Sequence, residues 1–554
     1  MAGYALGIDF GTASGRAVLV DIQNGRVIST STVTYKHGVL DEVMPDGTKL
    51  PKNWALQYPG DYLEVLKQAV PDAISKGQVS VEDVIAIGID FTSCTVIAVD
   101  QNNEPLCENP MWKSNPHSWV KLWKHHGAFK EAAQLTEVAI RENADFISRY
   151  GQSISSEWML PKVYQVLNEA PDLYESTDVF MEAGDWIVRK LTGNLIRSAN
   201  TTGYKSFWSK DMGYPDDEFL EKADSRLRGI FDNKLRGEIR KPGDKAGYLT
   251  AEMAAAMGLK EGIPVAVNMI DAHAGVSAVG AVQEGDFVMT IGTSTCHMLV
   301  AADMRQVPGI CGVVDEGIIP GTVNYETGQA AVGDAFEWLI TNLCPEYIKV
   351  DAENRNISIH QLLEEKAVLL KPGQSGLVAL DWWNGNRSMI GNMDLTGCIT
   401  GLQLQTKVEE IYRALIESTA FGVKKITETY KEYGLPVQRI FACGGITQKN
   451  QMMMQIYADI LDMKIIVPKG DQLVASGAAI YGAAAAGKEH GGWDSIDEAV
   501  SHMAAGDIDI YEPNPANVSI YKQIYQHYQK LHDLLGVEFA SIMTSMKDLS
   551  RNVK

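Results

Sequence analysis

Apolar residues recur along this chain in two rhythms. Short β-branched and apolar runs predict strands over 15–21 (GRAVLVD), 26–35 (RVISTSTVTY), 84–90 (VIAIGID) and 95–100 (TVIAVD). Further runs predict strands over 262–271 (GIPVAVNMID), 287–294 (FVMTIGTS), 297–302 (HMLVAA) and 464–468 (KIIVP). A spacing of three to four residues predicts amphipathic helices over 59–77, 409–434, 451–462 and 475–487. Strands interleaved with helices point to a mixed α/β fold in which helices cover sheets. Two stretches echo each other: GIDFGTASGRAVLVD (7–21) and VMTIGTSTCHMLVAA (288–302) each read strand, Gly/Thr/Ser turn, strand. Repetition at half-length marks a duplicated domain pair, and 554 residues exceed what one hydrophobic core organises. The boundary is expected in GAVQEGD, giving domains over 1–283 and 284–554.

Charge narrows the partners. A net charge of -21 repels polyanions, so neither nucleic acid nor an anionic membrane surface is expected as a partner. A small anion answers instead to the local field of its own pocket. No apolar run approaches the ~20 residues of a membrane helix, and MAGYALGIDF does not read as a secretory leader. The seven cysteines are scattered without a CxxC pair, which suits a reducing cytoplasm and neither a zinc site nor a disulfide frame.

Three glycine-bearing turns carry candidate chemistry. In the first, Asp9 ends a strand, and Gly11, Thr12, Ala13, Ser14 and Gly15 turn the chain before Arg16 opens the next one. Glycines let backbone N–H groups point inward toward an anion, and Thr12 and Ser14 add hydroxyl donors. Asp9 beside a phosphate requires a cation between them, pointing to Mg2+ held through water. The alternative is an ordinary hairpin. The second turn offers Gly292, Thr293, Ser294 and Thr295 in the same setting, and two such turns can clamp a triphosphate. The third, FACGGITQKNQMMMQIYADILDMKI, places Gly444 and Gly445 before a helix, where the backbone can approach a flat ligand or a phosphate. Asn450 stands where that helix begins, and an N-cap is its plainer role.

The order and spacing of these turns resemble the FGGY carbohydrate kinases, of the actin, hexokinase and heat-shock chaperone superfamily. EIYRALIESTAFG (410–422) and ASGAAIYGAA (475–484) resemble that family's late signature helices, so the likeness covers nearly the whole chain. One departure is Ile446, where the family's third glycine is expected. The resemblance implies a two-domain actin-like ATPase (ribonuclease H-like) fold with a cleft between the domains. It also implies ATP and Mg2+ as cofactors, bound through Asp9, Gly11, Thr12, Ser14, Arg16, Gly292, Thr293, Ser294, Gly444, Gly445 and Asn450. Asp271, ending the apolar strand GIPVAVNMID, matches the family's catalytic base, with a helix N-cap as the alternative.

For the sugar, Thr92, Ser93, Cys94 and Thr95 stand where xylulose kinases carry Gln-Met-His, and this resembles the L-ribulose kinases instead. Trp112 and Lys113 resemble those enzymes' Trp-Lys segment, although Ser114 replaces an expected acidic residue. Lys205, Glu326 and Gln329 complete the implied sugar set, Lys and Glu reading neighbouring hydroxyls as donor and acceptor. The expectation is therefore phosphorylation of L-ribulose in arabinose catabolism by a cytoplasmic protein, with a homodimer implied by the family. Another sugar kinase of the family, or an ATPase machine needing no sugar, are the rival readings.

Overall fold

The computed structural model describes residues 3–470 and 472–553, and the chain gathers into two compact units. The first comprises Met1–Val282, Val313–Asn324 and Gln472–Gly506; the second comprises Gln283–Gly312, Tyr325–Asp471 and Asp507–Lys554. This division differs from contiguous halves, 1–283 and 284–554, in the two segments that return to the first unit. The later of these returns for a packing reason that lies in the first sheet.

That sheet runs, strand by strand, Lys245–Tyr248, Pro264–Ala266, Val84–Phe91, Tyr4–Phe10, Ser14–Asp21 and Val27–Thr34, with Met269–Ile270 also paired to Val84–Phe91. Tyr4–Phe10 is antiparallel to Ser14–Asp21 and parallel to Val84–Phe91. Both central strands are buried on both faces, which is why they read as almost unbroken apolar runs. Leu6, Ile8 and Phe10 join Tyr62, Val65 and Leu66 of helix Pro59–Gly77 in one core. Alternation along the strand sends Gly7 and Asp9 to the opposite face, where helix Leu473–Ala486 packs. The approach there is backbone to backbone. A Cβ on Gly7 would lie 1.9 Å from the Ala475 carbonyl oxygen, and one on Gly88 would lie 1.7 Å from that of Ala478. Only glycine on the strands and small residues on the helix permit this contact, and it draws a late segment of the chain into the first unit.

A smaller antiparallel sheet in the same unit, Leu56–Gln57, Val120–Lys121, Val96–Val99 and Val179–Glu182, has its own core around Phe146, Trp158, Tyr164 and Phe207.

In the second unit Asp286–Ile291 lies between Thr295–Ala301, antiparallel, and Arg439–Cys443, parallel. Ile465–Pro468 and Ile508–Tyr511 continue this sheet on one side. It thus repeats the hairpin-plus-parallel-strand arrangement of the first sheet, as the sequence echo predicts. Helices Val408–Glu432 and Gln451–Leu461 pack together, and the expected helix bounds differ from the observed ones by at most two residues at each end. Among the described residues no helix is long and apolar enough to cross a membrane.

The sheet–helix contact gives a direct test. Gly88→Ala should destabilise the protein by about 2–3 kcal/mol through overpacking, read as a drop of several degrees in thermal melting. An unchanged melting temperature would mean that the helix can retreat at no cost.

Candidate active site

The first turn is a tight hairpin in which Gly11 N–H donates to the Ser14 carbonyl at 3.0 Å. Thr12 is anchored twice: its hydroxyl accepts from the Trp123 indole at 3.0 Å and its carbonyl accepts from the Gln57 amide at 2.7 Å. Arg16, opposite Asp9 in the antiparallel register, brings its Nε to 3.2 Å from the Asp9 carboxylate. Its Nη1 reaches the side chain of Gln472, the residue that precedes helix Leu473–Ala486, at 3.5 Å.

Asp9 has a neighbour that its own strand does not reveal. Asp90 sits beside it in the parallel register, on the same face, and is 0% exposed. No N–H or hydroxyl donor reaches either Asp90 oxygen. Burial, then the charge of Asp9 and a hydrogen bond that a proton shared with Asp9 would make, pushes the Asp90 carboxyl well above the usual carboxylate range, and the charge of Asp271 adds to this. Hard anionic oxygens without donors are the ligands that a divalent cation such as Mg2+ takes, so the residues fit the metal that the family implies.

Asp271 heads helix Asp271–Ala278 at its first turn, with Ile270 as the N-cap, and its Oδ1 accepts from Ala272 N–H at 2.7 Å. The strand before it is pinned by Asn200, which is fully buried. Asn200 Oδ1 accepts from Ile270 N–H at 2.8 Å, while its amide nitrogen reaches His273 Nδ1 at 2.8 Å and the Gly317 carbonyl at 2.6 Å. Asn200 therefore sets the backbone position from which Asp271 projects.

Ser93, Cys94 and Thr95, expected from the sequence to meet the sugar, follow the strand that carries Asp90. Cys94 holds a left-handed backbone, φ 57°, unusual for a side chain with a Cβ. Its carbonyl accepts from the fully buried Lys162 ammonium at 2.6 Å, and the same ammonium donates to the Leu122 carbonyl at 2.8 Å. Burial pulls the Lys162 pKa down to about 8. Thr95 and Thr92 share a hydroxyl hydrogen bond of 2.9 Å. Lys205 is buried in helix Ala199–Lys205, and its charge acts on both Cys94 and Glu182, so the structure groups these residues. Trp112 is half-buried and Lys113 exposed on a turn whose carbonyls accept from Ser118 and Trp119. The charge of Lys113 bears on Cys107, which belongs to a different apolar cluster from Cys94.

In the second unit Gly292 N–H donates to the Ser294 carbonyl at 2.9 Å, and the carbonyls of Gly292 and Thr293 accept from Val332, Gly333 and Asp334 around the start of helix Gly333–Leu343. The Thr290–Cys296 turn is thus tied to that helix. Gly444 has φ 107°, available only to glycine at low cost, and no heavy atom lies within 4 Å of where a Gly445 Cβ would stand. The backbone there has open space beside it. Asn450 caps helix Gln451–Leu461 by accepting from Met453 N–H at 2.8 Å. Glu326, 2% exposed, pairs with Arg387 at 3.2 Å. Gln329 is engaged internally: its amide donates to Asp381 at 2.7 Å and to the Thr419 carbonyl at 2.8 Å, and its oxygen meets His297 at 3.3 Å.

Asp90, Asn200 and Lys162 escape a reading by motif. Asp90 hides inside an apolar run, and the other two act on main-chain groups far away in sequence. The one available signal was an aspartate in a strand otherwise too apolar to tolerate it.

Comparison with known proteins places this geometry. The chain matches the FGGY family of carbohydrate kinases, N-terminal domain, over residues 4–279 and the C-terminal domain over 287–486. It is 51% identical over 545 residues to a protein of Geobacillus thermodenitrificans named ribulokinase, covering 98% of this chain and 96% of that one. Identity and coverage are the same against a protein of that name from Anoxybacillus flavithermus. Among solved structures it is similar to xylulose kinase from Rhodospirillum rubrum, with a TM-score of 0.78 over 97% of this chain and 100% of that one, at 20% identity. That likeness speaks to the fold, which is the two-domain actin-like ATPase fold.

Glu182 yields a pH test. Burial, then the charge of Asp185, pushes its carboxyl up to about 8 from an ordinary 4.5. Between those values the folded state holds a proton that the unfolded chain has lost, so stability falls as pH rises through this window. Glu182→Gln should therefore flatten the decline in melting temperature from pH 5 to pH 8, removing at most about 1.4 kcal/mol per pH unit. Parallel wild-type and variant curves would show that Glu182 ionises freely in the fold.

Proposed function

The chain belongs to the FGGY family of carbohydrate kinases and is an ATP-dependent sugar kinase, and we propose that its sugar is L-ribulose. The products are then ADP and L-ribulose 5-phosphate, formed in L-arabinose degradation. The observation that carries the choice of sugar is 51% identity, over nearly all of both chains, to proteins named ribulokinase. Thr92, Ser93, Cys94 and Thr95, which stand where xylulose kinases carry Gln-Met-His, support it.

Asp271 is the general base. It takes the hydroxyl proton as that oxygen bonds to the γ-phosphorus and the bond from the phosphorus to the bridging oxygen of ADP breaks. The Ala272 N–H on its Oδ1 and the Asn200 clamp on Ile270 orient the carboxyl for this transfer. Lys205 and Glu326 read sugar hydroxyls as donor and acceptor, and Ser93, Cys94 and Thr95 shape the sugar loop. The turns Gly11–Ser14 and Gly292–Ser294 supply donors to phosphate oxygens, and Gly444 and Gly445 let the backbone approach the nucleoside. Mg2+ at Asp9 would neutralise charge on the transferring phosphoryl group.

Coupled ADP release with Mg·ATP against L-ribulose, D-ribulose, L- and D-xylulose, ribitol and glycerol tests the sugar. L-ribulose should give the largest stimulation over the sugar-free blank. Stimulation by xylulose or glycerol alone would overturn the choice of sugar. Asp271→Asn should cut turnover by at least about 100-fold while L-ribulose binding, read by calorimetry, stays within a few-fold. Retained turnover would remove Asp271 from the role of base.

A further inference from the structure

Asp90 is an acid without a partner in the interior of the first unit. It is 0% exposed, no N–H or hydroxyl donor reaches either of its oxygens, its one polar side-chain neighbour is the carboxyl of Asp9, and among the described residues no cation pairs with it. A buried carboxylate needs a compensating charge or a proton, and the sheet places more negative charge beside it instead. Asp9 is its register partner on one neighbouring strand, and Met269, two residues before Asp271, is its register partner on the other. Three adjacent strands thus bring a carboxylate each to the same end of the sheet. The charges of Asp9 and Asp271 both bear on Asp90, and that of Arg16 opposes them. That one guanidinium cannot balance Asp9 and Asp90 together. Arg16 also spends its contact on Asp9, at 3.2 Å, and on Gln472.

We propose that Asp90 is a direct ligand of a divalent cation, Mg2+ or Mn2+, which it holds together with Asp9. The donor set is hard oxygen and dianionic, as such ions prefer, and the register fixes the two carboxylates side by side on adjacent strands. The orphaned oxygens of Asp90 are the feature that asks for the ion. Asp9 alone, with Arg16 against it, is already half neutralised and would hold a cation only loosely through water. With Asp90 as a second ligand the chain has affinity for the cation in its own right, independent of the phosphates on which the cation otherwise arrives. The inference rests on the kinase reading only for the source of the metal. A single proton shared between Asp9 and Asp90 is the competing account of the same geometry.

Metal binding to the nucleotide-free, sugar-free protein separates the two. Mn2+ is titrated into wild type and Asp90→Asn, free Mn2+ is counted by its paramagnetic resonance signal, and melting is followed with Mn2+ and with chelator. Wild type should bind Mn2+ and melt higher with it. Asp90→Asn should bind at least ten-fold more weakly, lose the Mn2+-dependent rise, and in chelator melt at or above wild type because a buried carboxyl crowded against Asp9 is gone. Asp90→Ser serves in the same titration if the asparagine variant does not fold. Equal Mn2+ affinity in wild type and variant, or no Mn2+ binding to the nucleotide-free wild type, would overturn the proposal and leave the shared proton. Because neither sugar nor ATP is present, a wrong choice of sugar would not alter the outcome.

Discussion

The first unit depends on a contact in which no side chain takes part. Gly7 and Gly88 face each other across neighbouring parallel strands, and the helix Leu473–Ala486 lies against them with its carbonyls where Cβ atoms would otherwise be. A second approach of the same kind joins that helix to the one headed by Asp271, since a Cβ on Gly477 would lie 1.9 Å from the Ala274 carbonyl oxygen. Backbone at this distance cannot adjust by changing a rotamer, so strands and helices are locked as rigid bodies. Asp9 and Asp90 stand two residues beyond those glycines on the same face, and Asp271 begins the second of the helices. The geometry of all three carboxylates is therefore inherited from glycine–alanine packing.

The same unit carries an unusual load of buried polar groups at this end, and they are satisfied in different ways. Asn200 and Lys162 spend most of their polar capacity on main-chain groups, and each of those contacts fixes a backbone segment whose next residue matters: Ile270 before Asp271, Cys94 before Thr95. Glu182 and Asp90 are not satisfied in this way, and burial raises the carboxyl pKa of both. Buried polar groups that are paired give rigidity, and those that are not give a site its appetite for charge.

Much of this was legible beforehand, and the pattern of success is physical. Periodicity found helix Pro59–Gly77 to the residue, although Pro71 lies inside it, because its apolar face against the sheet outweighs one missing donor. The echo between the two hairpins survives as a shared strand order. What the sequence could not convey is adjacency between distant segments. Nothing local says that residues 472–506 return to the first unit, or that Asp90 lies beside Asp9. Asn450 caps its helix, the plainer of the two roles its position offers, and the contacts of Gln329 with Asp381, Thr419 and His297 join segments that no local pattern links.

That return of residues 472–506 also has a consequence for how the protein is made. Residues up to Val282 leave the ribosome long before the helix that must cover Gly7 and Gly88 exists, since Gln472 lies 190 positions after Val282. At about 5–20 residues per second the uncovered face waits roughly 10–40 seconds. A nascent chain of this protein thus carries an unfinished first unit through most of its synthesis, exposed to holding chaperones and proteases. A message truncated before codon 473 would yield a product with two intact glycine strands and nothing to lay against them.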